Sequence, residues 1–392
     1  MSDPLACDVL IVGGGPAGLS VAGSLGPGIS AIVLHQDAEI GRPVRTSGGT
    51  WVRDMEALGI PQTLYQVIDR LDFYSDQSEA RFAVRDDKMA VMDVTGVYQH
   101  LAGLIRGDIP VMLGTSFVSA VARDDGYVAT VRSREMGEVE ISARFVIEAS
   151  GWKMAVMEAL GLGEKPARRG VGIEYEFENH GFDPNRAILF VGSAALNGYG
   201  WVFPTPDGRL RLGIGVINPD TDRTPREGME AFLASGFAEK LGVRVPNDYE
   251  VNAGVIPSVP YNPRLVYGQV IRTGDAANFA TPTVGEGIRI AIEEGRALGA
   301  ALTAFIAGGA QALVRHERAC ARKYQRDYRF GFMMNQRIAR YDPTRWDKSV
   351  ARLARLSELE MTALVRSRFG WRTIARTVWL SVLGKLKRDR AR

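Results

Sequence analysis

The sequence predicts an α/β fold with a Rossmann-like nucleotide-binding domain, an inserted antiparallel β-sheet domain and a helical C-terminal region. Two glycine-rich segments predict the first domain, one at residues 13–18 and one at residues 274–289, after a Gly-Asp turn. Strand-like runs dominate residues 167–256, whereas the pattern after residue 309 is helical. Because the two glycine segments lie on either side of the strand-rich stretch, we expect a nucleotide domain assembled from separate parts of the chain.

The first element is a buried parallel strand, predicted from the β-branched apolar run Asp8–Val12. Three glycines and the start of a helix follow it directly. In this context Gly13 permits a tight turn, Gly15 lets the backbone approach a pyrophosphate, and Gly18 allows close packing of helix on strand. The positive end of the helix stabilises the phosphates. The residues predicted to bind a dinucleotide at this loop are Gly13, Gly15, Pro16, Ala17 and Gly18.

The second strand, Ser30–Leu34, is predicted to end beside the adenosine ribose, where an acidic side chain usually accepts the hydroxyl hydrogen bonds. The chain has His35, Gln36 and Asp37 there. In the usual dinucleotide-binding pattern the acid falls at His35. A neutral imidazole can accept one bond, Asp37 can take the acidic role, or His35 is a surface-loop histidine. We predict His35 and Gln36 as cofactor contacts.

Composition narrows the class of protein. The 392 residues are 46% hydrophobic and 24% charged, which is typical of a globular chain with a large core. A net charge of +3 gives no reason to expect nucleic-acid binding. Cys7 and Cys320 cannot form a disulfide framework, and neither a secretory signal nor a membrane span is predicted. We expect a cytoplasmic protein, and no metal site is predicted.

Four segments carry a family resemblance: residues 41–49, 145–151, 198–204 and 274–289. Over roughly residues 7–300 they make the chain resemble the geranylgeranyl reductase family of FAD-dependent oxidoreductases. That family belongs to a flavoprotein class shared with aromatic hydroxylases and flavin halogenases. The most family-specific pieces are the Tyr-x-Trp-x-Phe-Pro and Gly-Glu-Gly-Ile-Arg runs, so we predict that the two glycine segments form one FAD site.

The resemblance implies roles for the second glycine segment. The Asp275 carboxylate is expected to accept a ribityl hydroxyl of FAD. Gly285 and Gly287 let backbone amides approach the flavin, and the helix beginning near Ile288 offers its positive end to the reduced ring. Glu286 is interpreted either as a structural side chain or as a catalytic carboxylate. The cofactor contacts predicted beyond the first loop and the ribose end are Arg45, Thr46, Ser47, Val118, Gly274, Asp275, Pro282, Gly285, Glu286, Gly287 and Ile288.

The Arg-Pro-Val-Arg loop passes close to the flavin in relatives of this kind. Arg45 is interpreted as a ligand of a phosphate, a substrate group or the phosphate of a nicotinamide cofactor, or as a solvated arginine. Many members of the family have cysteine where this chain has Thr46, which puts a thiol-dependent step in doubt. Thr46 and Ser47 can still offer hydroxyl groups to flavin or substrate.

Tyr199, Trp201 and Phe203 alternate along one strand, so their side chains share one face. Such a face is either plain core or, as the resemblance implies, a substrate-binding wall above the flavin that suits a lipophilic molecule. Tyr199 is the candidate proton donor.

The predicted domains are discontinuous. Residues 1–75, 91–166 and 257–308 are assigned to the FAD-binding domain and residues 76–90 and 167–256 to the substrate domain. Residues 309–392 form the helical region. Its last part, from Ala351, carries eleven basic and three acidic residues, a net charge of +8. It is interpreted either as a helix packed on the FAD domain or as a basic amphipathic segment that meets the inner face of the membrane.

Three hypotheses for function follow. The first is an FAD-dependent reductase acting on carbon–carbon double bonds of an isoprenoid or another lipophilic small molecule. The alternative is a flavin monooxygenase or halogenase, because shared fold and motifs do not decide the reaction. The third is a flavin-bound or membrane-associated protein in which the basic tail matters more than catalysis. Since a second dinucleotide fingerprint is missing, we expect that NAD(P)H binds transiently or that an electron-donor protein, such as a flavin reductase or ferredoxin, supplies electrons.

Overall fold

A computed structural model describes residues 5–370 of the chain. The strands are β1 (Leu5–Val12), β2 (Ala31–Leu34), β3 (Gly49–Trp51), β4 (Tyr65–Ile68), β5 (Arg70–Tyr74), β6 (Glu79–Ala83), β7 (Met89–Met92), β8 (Val111–Met112), β9 (Thr115–Arg123), β10 (Gly126–Ser133), β11 (Gly137–Glu148), β12 (Arg169–Glu178), β13 (Arg186–Phe190), β14 (Gly198–Pro204), β15 (Arg209–Asn218), β16 (Glu250–Pro257), β17 (Val266–Tyr267) and β18 (Val270–Arg272). The helices are α1 (Pro16–Ala22), α2 (Val52–Ala57), α3 (Val94–Gly103), α4 (Ala155–Ala159), α5 (Pro225–Ala234), α6 (Phe237–Lys240), α7 (Ile288–Ile306), α8 (Ala312–Ile338), α9 (Pro343–Leu353) and α10 (Glu358–Val365).

The nucleotide domain is built on a sheet of order β17-β18-β11-β1-β2-β8, extended by the hairpin β9-β10 on β11. The pairs of β1 with β11 and β2, of β11 with β18, and of β2 with β8 are all parallel. Both faces of β1 are covered: Val9 and Ile11 pack with α1 and α7, while Leu10 and Val12 pack with β10 and α4. This burial explains the continuous apolar run of β1 and confirms the predicted Rossmann-like domain.

The inserted domain is a second sheet of order β16-β12-β15-β14-β13-β5-β6. Its pairs are antiparallel except for β13 with β5. One face is closed by α5, whose Met229 and Phe232 belong to the same hydrophobic cluster as Val202 and Tyr175 of the sheet. The opposite face turns toward the nucleotide domain, since Arg211 on β15 donates to the backbone carbonyls of Ser47 and Met92. The predicted antiparallel domain is therefore present.

Two predicted boundaries need correction. The strand β5, assigned from the sequence to the FAD-binding segment 1–75, belongs to the second sheet. The strand β7, whose first residues fall in the predicted substrate segment 76–90, pairs instead with β3 and β4 in a separate three-stranded sheet. In this part of the chain, short strands of the second sheet alternate with short strands of the three-stranded sheet. The residue composition does not change from one to the next, so the sequence does not mark the boundary.

Within residues 309–370, the described part of the C-terminal region, the chain is helical as predicted. Helix α8 packs along α7, and α10 places Met361 and Val365 against Trp51 and Phe203. None of the helices in residues 5–370 is long and apolar enough to cross a membrane. Most of the basic tail, including the apolar residues Trp371, Ile374, Val378, Trp379, Leu380 and Leu383, lies outside the described residues. Its predicted membrane contact therefore stays a prediction.

Candidate active site

A cleft of about 540 Å³ opens where the parallel strands of the first sheet end. Since β1, β2, β11 and β18 run in the same direction, the loops that follow them meet at this edge. The predicted residues that line the cleft are Gly13, Gly15, Pro16, Ala17, His35, Gln36, Arg45, Thr46, Gly274, Asp275, Gly285, Gly287 and Ile288. Both glycine segments thus face one space.

The first glycine loop has the geometry that a bound pyrophosphate needs. Gly13 has φ +124°, and a Cβ there would lie 2.1 Å from the carbonyl oxygen of Ala149. A Cβ on Gly18 would lie 1.9 Å from the carbonyl oxygen of Gly13. A Cβ on Gly15, in contrast, would have no described atom within 4 Å. Gly13 and Gly18 are therefore required by the packing of the chain, while Gly15 leaves open space facing the cleft.

The second segment touches the first. Gly274 has φ +62°, and a Cβ there would lie 2.8 Å from Cβ of Ala17 at the start of α1. The next residue, Asp275, lines the cleft, and burial raises the pKa of its carboxyl to about 6. A Cβ on Gly287 would lie 3.3 Å from Oδ1 of Asp275, so glycine there leaves the carboxylate accessible. The cleft consequently offers phosphate space beside α1 and a hydroxyl acceptor at Asp275, a donor and acceptor set that fits FAD.

At the ribose end of the cleft, both His35 and Asp37, the two predicted acceptors, line the space. His35 is buried, its Nε2 lies 3.0 Å from the carbonyl oxygen of Glu39, and burial lowers its pKa, which favours the neutral ring. Asp37 also lines the cleft and accepts two hydrogen bonds from Arg45, at 2.8 and 3.1 Å. Gln36 accepts a bond of 3.0 Å from Nζ of Lys153 across the cleft. Asp37 is the carboxylate at this position, and Arg45 is held by it.

Five predicted cofactor contacts do not line the cleft, and they are Gly18, Ser47, Val118, Pro282 and Glu286. Val118 is the clearest correction: the residue is 42% exposed, because β9 alternates and its neighbour Phe117 faces the cleft instead. Glu286 is buried among its partners, accepting from Thr50 at 3.0 Å and from Arg289 at 2.8 and 3.1 Å. These bonds give Glu286 a structural role.

Several cleft residues were not predicted from the sequence. Tyr98 lies on α3, far from both glycine segments in the chain, and no local motif marks it. Trp152 and Lys153 follow the Ser150-Gly151 turn, which ends segment 145–151 of the family resemblance. The turn follows a central parallel strand, and loops after such strands line the cleft. That position was the only signal from which Trp152 and Lys153 could have been predicted as cleft residues.

A second cavity of about 130 Å³ adjoins the cleft, and we call it the aromatic cavity. Cleft and cavity share four lining residues, Arg45, Thr46, Ile256 and Gly285. Most of its other lining residues come from the second sheet and from the loop before α7, and they include Glu174, Tyr199, Trp201, Asn252, Pro282 and Val284. Ser47, from the loop before β3, lines it as well. The predicted contacts Ser47 and Pro282 therefore face the aromatic cavity rather than the cleft.

The aromatic strand behaves as its alternation predicts. Tyr199, Trp201 and Phe203 pack together on one face, while Val202 packs on the other. The Trp201 indole lies flat on the sheet, since a Cβ on Gly213 would lie 2.1 Å from its Cε2. Trp201 and Tyr199 line the aromatic cavity, whereas Phe203 lines a smaller space of about 60 Å³ beside it.

The hydroxyl of Tyr199 is committed to the backbone. It donates a hydrogen bond to the carbonyl oxygen of Val284, in the loop between the Gly-Asp turn and α7. Burial raises the pKa of this phenol, so it holds its proton. Tyr199 thus fastens the second sheet to the glycine loop.

Among residues 5–370, one cluster of metal-ligating groups lies away from the cleft. Glu294, His316 and Cys320 place one donor atom each within 4.8 Å of the others. The Glu294 carboxylate already accepts from the Cys320 thiol at 3.1 Å, from Lys323 at 2.9 Å and from the Tyr324 hydroxyl. These contacts join α7 to α8.

Known proteins share this sequence and this architecture. The sequence model of the lycopene cyclase protein family matches residues 8–369. Digeranylgeranylglycerophospholipid reductase 1 of Methanothermobacter thermautotrophicus is 28% identical over 341 residues, covering 80% of this chain and 82% of that protein. A reductase of the same name from Thermoplasma acidophilum is 25% identical over 361 residues, covering 88% of this chain and 90% of that protein.

Solved structures agree in fold. A geranylgeranyl bacteriochlorophyll reductase-like protein from Thermoplasma acidophilum has a TM-score of 0.80 at 20% identity, covering 92% of this chain and 96% of that chain. The p-nitrophenol 4-monooxygenase of Pseudomonas putida has a TM-score of 0.70 at 18% identity, covering 94% and 99%. The predicted resemblance to geranylgeranyl reductases is confirmed by these relatives, and the chain belongs to the lycopene cyclase protein family.

Proposed function

We propose that the protein is an FAD-dependent oxidoreductase that reduces carbon–carbon double bonds of an isoprenoid or similarly lipophilic substrate. The observation that carries the proposal is the junction at Gly285, where a dinucleotide cleft meets a cavity with aromatic walls. A lipophilic chain in that cavity would lie beside the loop that follows the Gly-Asp turn. Relatives named digeranylgeranylglycerophospholipid reductases support an isoprenoid lipid as the substrate class.

The residues of this chain have distinct tasks in such a reaction. Gly15 leaves room for the pyrophosphate, and Asp275 accepts a hydroxyl hydrogen bond from the cofactor. Bound and reduced, FAD supplies the hydride. Tyr199 holds the glycine loop in place through Val284, and Trp201 gives the substrate an apolar surface. Thr46 lines both spaces, so this chain has a hydroxyl where many relatives carry a thiol.

We propose further that electrons come from NAD(P)H binding transiently or from an electron-donor protein. The chain carries one dinucleotide fingerprint, and FAD would occupy it. Anaerobic mixing of the FAD-loaded protein with NADPH, and separately with reduced ferredoxin, tests the two sources by the loss of flavin absorbance.

Product mass distinguishes the proposed reaction from its alternatives. The FAD-loaded protein, reduced anaerobically, is incubated with a geranylgeranyl lipid, and the products are analysed by mass spectrometry. Reduction adds two hydrogens for each double bond and reoxidises the flavin without oxygen. Incorporation of oxygen from labelled O₂ would identify a monooxygenase instead, and ring closure at unchanged mass would identify a cyclase. Either result would overturn the proposal.

A matched pair of variants tests the cavity. Trp201→Leu removes the aromatic wall, and we expect kcat/KM for the lipid to fall while FAD still binds, because Trp201 lines the cavity and not the cleft. Loss of aromatic burial of this kind costs about 1–3 kcal/mol, or roughly 5- to 150-fold. Trp346→Leu, on α9 and outside both spaces, is the control and should retain kcat/KM.

A further inference from the structure

A buried carboxyl group faces the aromatic cavity from the second sheet. Strand β12 alternates: Ile173 and Tyr175 point into the core under α5, while Glu174 and Glu176 point to the opposite face. Glu174 is 3% exposed and lines the aromatic cavity, on the same face as Trp201. A carboxyl in such a place needs a partner or a proton.

The nearest positive charge, the Arg211 guanidinium, lies closer to the carboxyl of Glu176 than to that of Glu174. Arg211 Nε lies 3.0 Å from Oε2 of Glu176 but 3.7 Å from Oε1 of Glu174. Arg209 Nε lies 3.6 Å from the other oxygen of Glu176, and its own guanidinium also binds Glu250 at 2.8 Å. Two buried carboxyl groups thus share one buried guanidinium, and Glu174 is the one with weaker compensation. Burial and the neighbouring Glu176 carboxylate both favour the protonated form of Glu174.

Neutral donors hold the Glu174 carboxyl in position. Trp201 Nε1 donates to Oε2 at 2.6 Å, and Asn252 Nδ2 donates to Oε1 at 3.3 Å. The other charged or titratable residues lining the aromatic cavity are Arg45 and Tyr199. Burial raises the pKa of Glu174 to about 7, against the opposing effect of Arg211. A group with that pKa exchanges its proton readily at neutral pH.

We propose that Glu174 is the proton donor for the double bond, an inference that rests on the proposed function. The π bond of the alkene breaks as one carbon takes the hydride from the reduced cofactor and the other takes the proton from the Glu174 carboxyl. The cofactor loses two electrons, the product gains them, and the carboxylate left at Glu174 recovers a proton from solvent. Tyr199, the donor suggested by the sequence, already donates its hydroxyl hydrogen to the carbonyl oxygen of Val284.

The first test needs no cofactor. In FAD-free protein labelled with ¹⁵N, the indole signal of Trp201 reports on the carboxyl it contacts, and Trp201→Phe assigns that signal. Between about pH 5 and pH 9 the signal should titrate with an inflection near neutrality in the wild type and stay constant in Glu174→Gln. A Trp201 signal that does not titrate across this range in the wild type would overturn the proposal.

The second test uses the FAD-loaded enzyme and separates two candidate donors. Glu174→Gln keeps an acceptor for Trp201 but carries no acidic proton, so kcat should fall by about 10²–10⁴-fold with KM, FAD affinity and flavin reduction retained. Tyr199→Phe should retain a larger fraction of the wild-type kcat than Glu174→Gln does. In the wild type, kcat should decline as pH rises above about 7, and that decline should vanish in Glu174→Gln.

The outcomes distinguish this inference from the proposed function. If the wild type reduces an alkene and Glu174→Gln does so at a similar rate, Glu174 is not the donor although the reductase function stands. If Tyr199→Phe loses activity and Glu174→Gln does not, the phenol is the donor. If the wild type reduces no alkene, the proposed function fails, and the role of Glu174 fails with it.

Discussion

The substitution Gly15→Ala separates the needs of the fold from the needs of the cofactor. Gly15 has φ −89° and ψ −176°, an extended conformation that alanine adopts freely. A Cβ there would have no described atom within 4 Å and would stand in the open space of the cleft. The methyl group should therefore be harmless to the FAD-free protein and obstruct a pyrophosphate lying against the loop.

The magnitudes follow from small opposing effects. Alanine is a poorer helix N-cap than glycine by roughly 0.5–1 kcal/mol, and it stabilises by about 0.4–1 kcal/mol through the unfolded chain. The net change in the free energy of unfolding should stay within about 0.5 kcal/mol. Packing an extra methyl against a ligand costs about 1–3 kcal/mol, so the Kd for FAD should rise roughly 5- to 150-fold.

Urea unfolding of the FAD-free proteins and fluorescence titration with FAD measure the two quantities. Gly13→Ala is the matched control, since its Cβ would lie 2.1 Å from the carbonyl oxygen of Ala149 at φ +124°. That variant should lose about 1–3 kcal/mol or more of stability as well as FAD binding. If Gly15→Ala bound FAD with the wild-type Kd, the assignment of this loop to the pyrophosphate would be wrong.

Three further predictions concern the loops around the cleft. Gly274→Ala should destabilise the FAD-free protein by about 1–2 kcal/mol in urea unfolding, because φ is +62° and the new Cβ would crowd Ala17. Glu286→Ala breaks a buried ion pair with Arg289 and should cost about 3 kcal/mol in the same assay; unchanged stability would contradict its structural role. Asp275 has its pKa raised from 3.8 to about 6, so its contribution to stability is present below pH 3.8 and is lost as pH rises through about 6. The free energy of unfolding of FAD-free Asp275→Asn minus that of the wild type should therefore be larger at about pH 7.5 than at about pH 4.5. An equal difference at both pH values would show that burial does not raise the pKa of Asp275.

Much of the fold could be predicted because it depends on local pattern. The apolar run of β1, the glycines after it and the helix from Ile288 each have a signature within a few residues, and the structure has each element where it was predicted. The boundary near β5 could not be predicted, because strands of different sheets follow one another there without any change in residue type.

The residues of the candidate site divide along the same line. Gly15, Asp275 and Trp201 were recognisable because the conformation or the alternation that makes them useful is encoded by their immediate neighbours. Tyr98 and Glu174 were not, since nothing adjacent in the chain marks them. Glu174 meets Trp201 across 27 residues of sequence, and only the register of the second sheet brings carboxyl and indole together.

The chain's local patterns thus specify a dinucleotide cleft, an aromatic strand and the family resemblance. The tertiary structure decides that Asp37 pairs with Arg45, that Glu286 is structural, and that Glu174 shares Arg211 with Glu176. The physical reason is that backbone conformation and side-chain alternation depend on near neighbours. Burial and charge compensation, which set the protonation of Glu174, depend on which distant strands pack together.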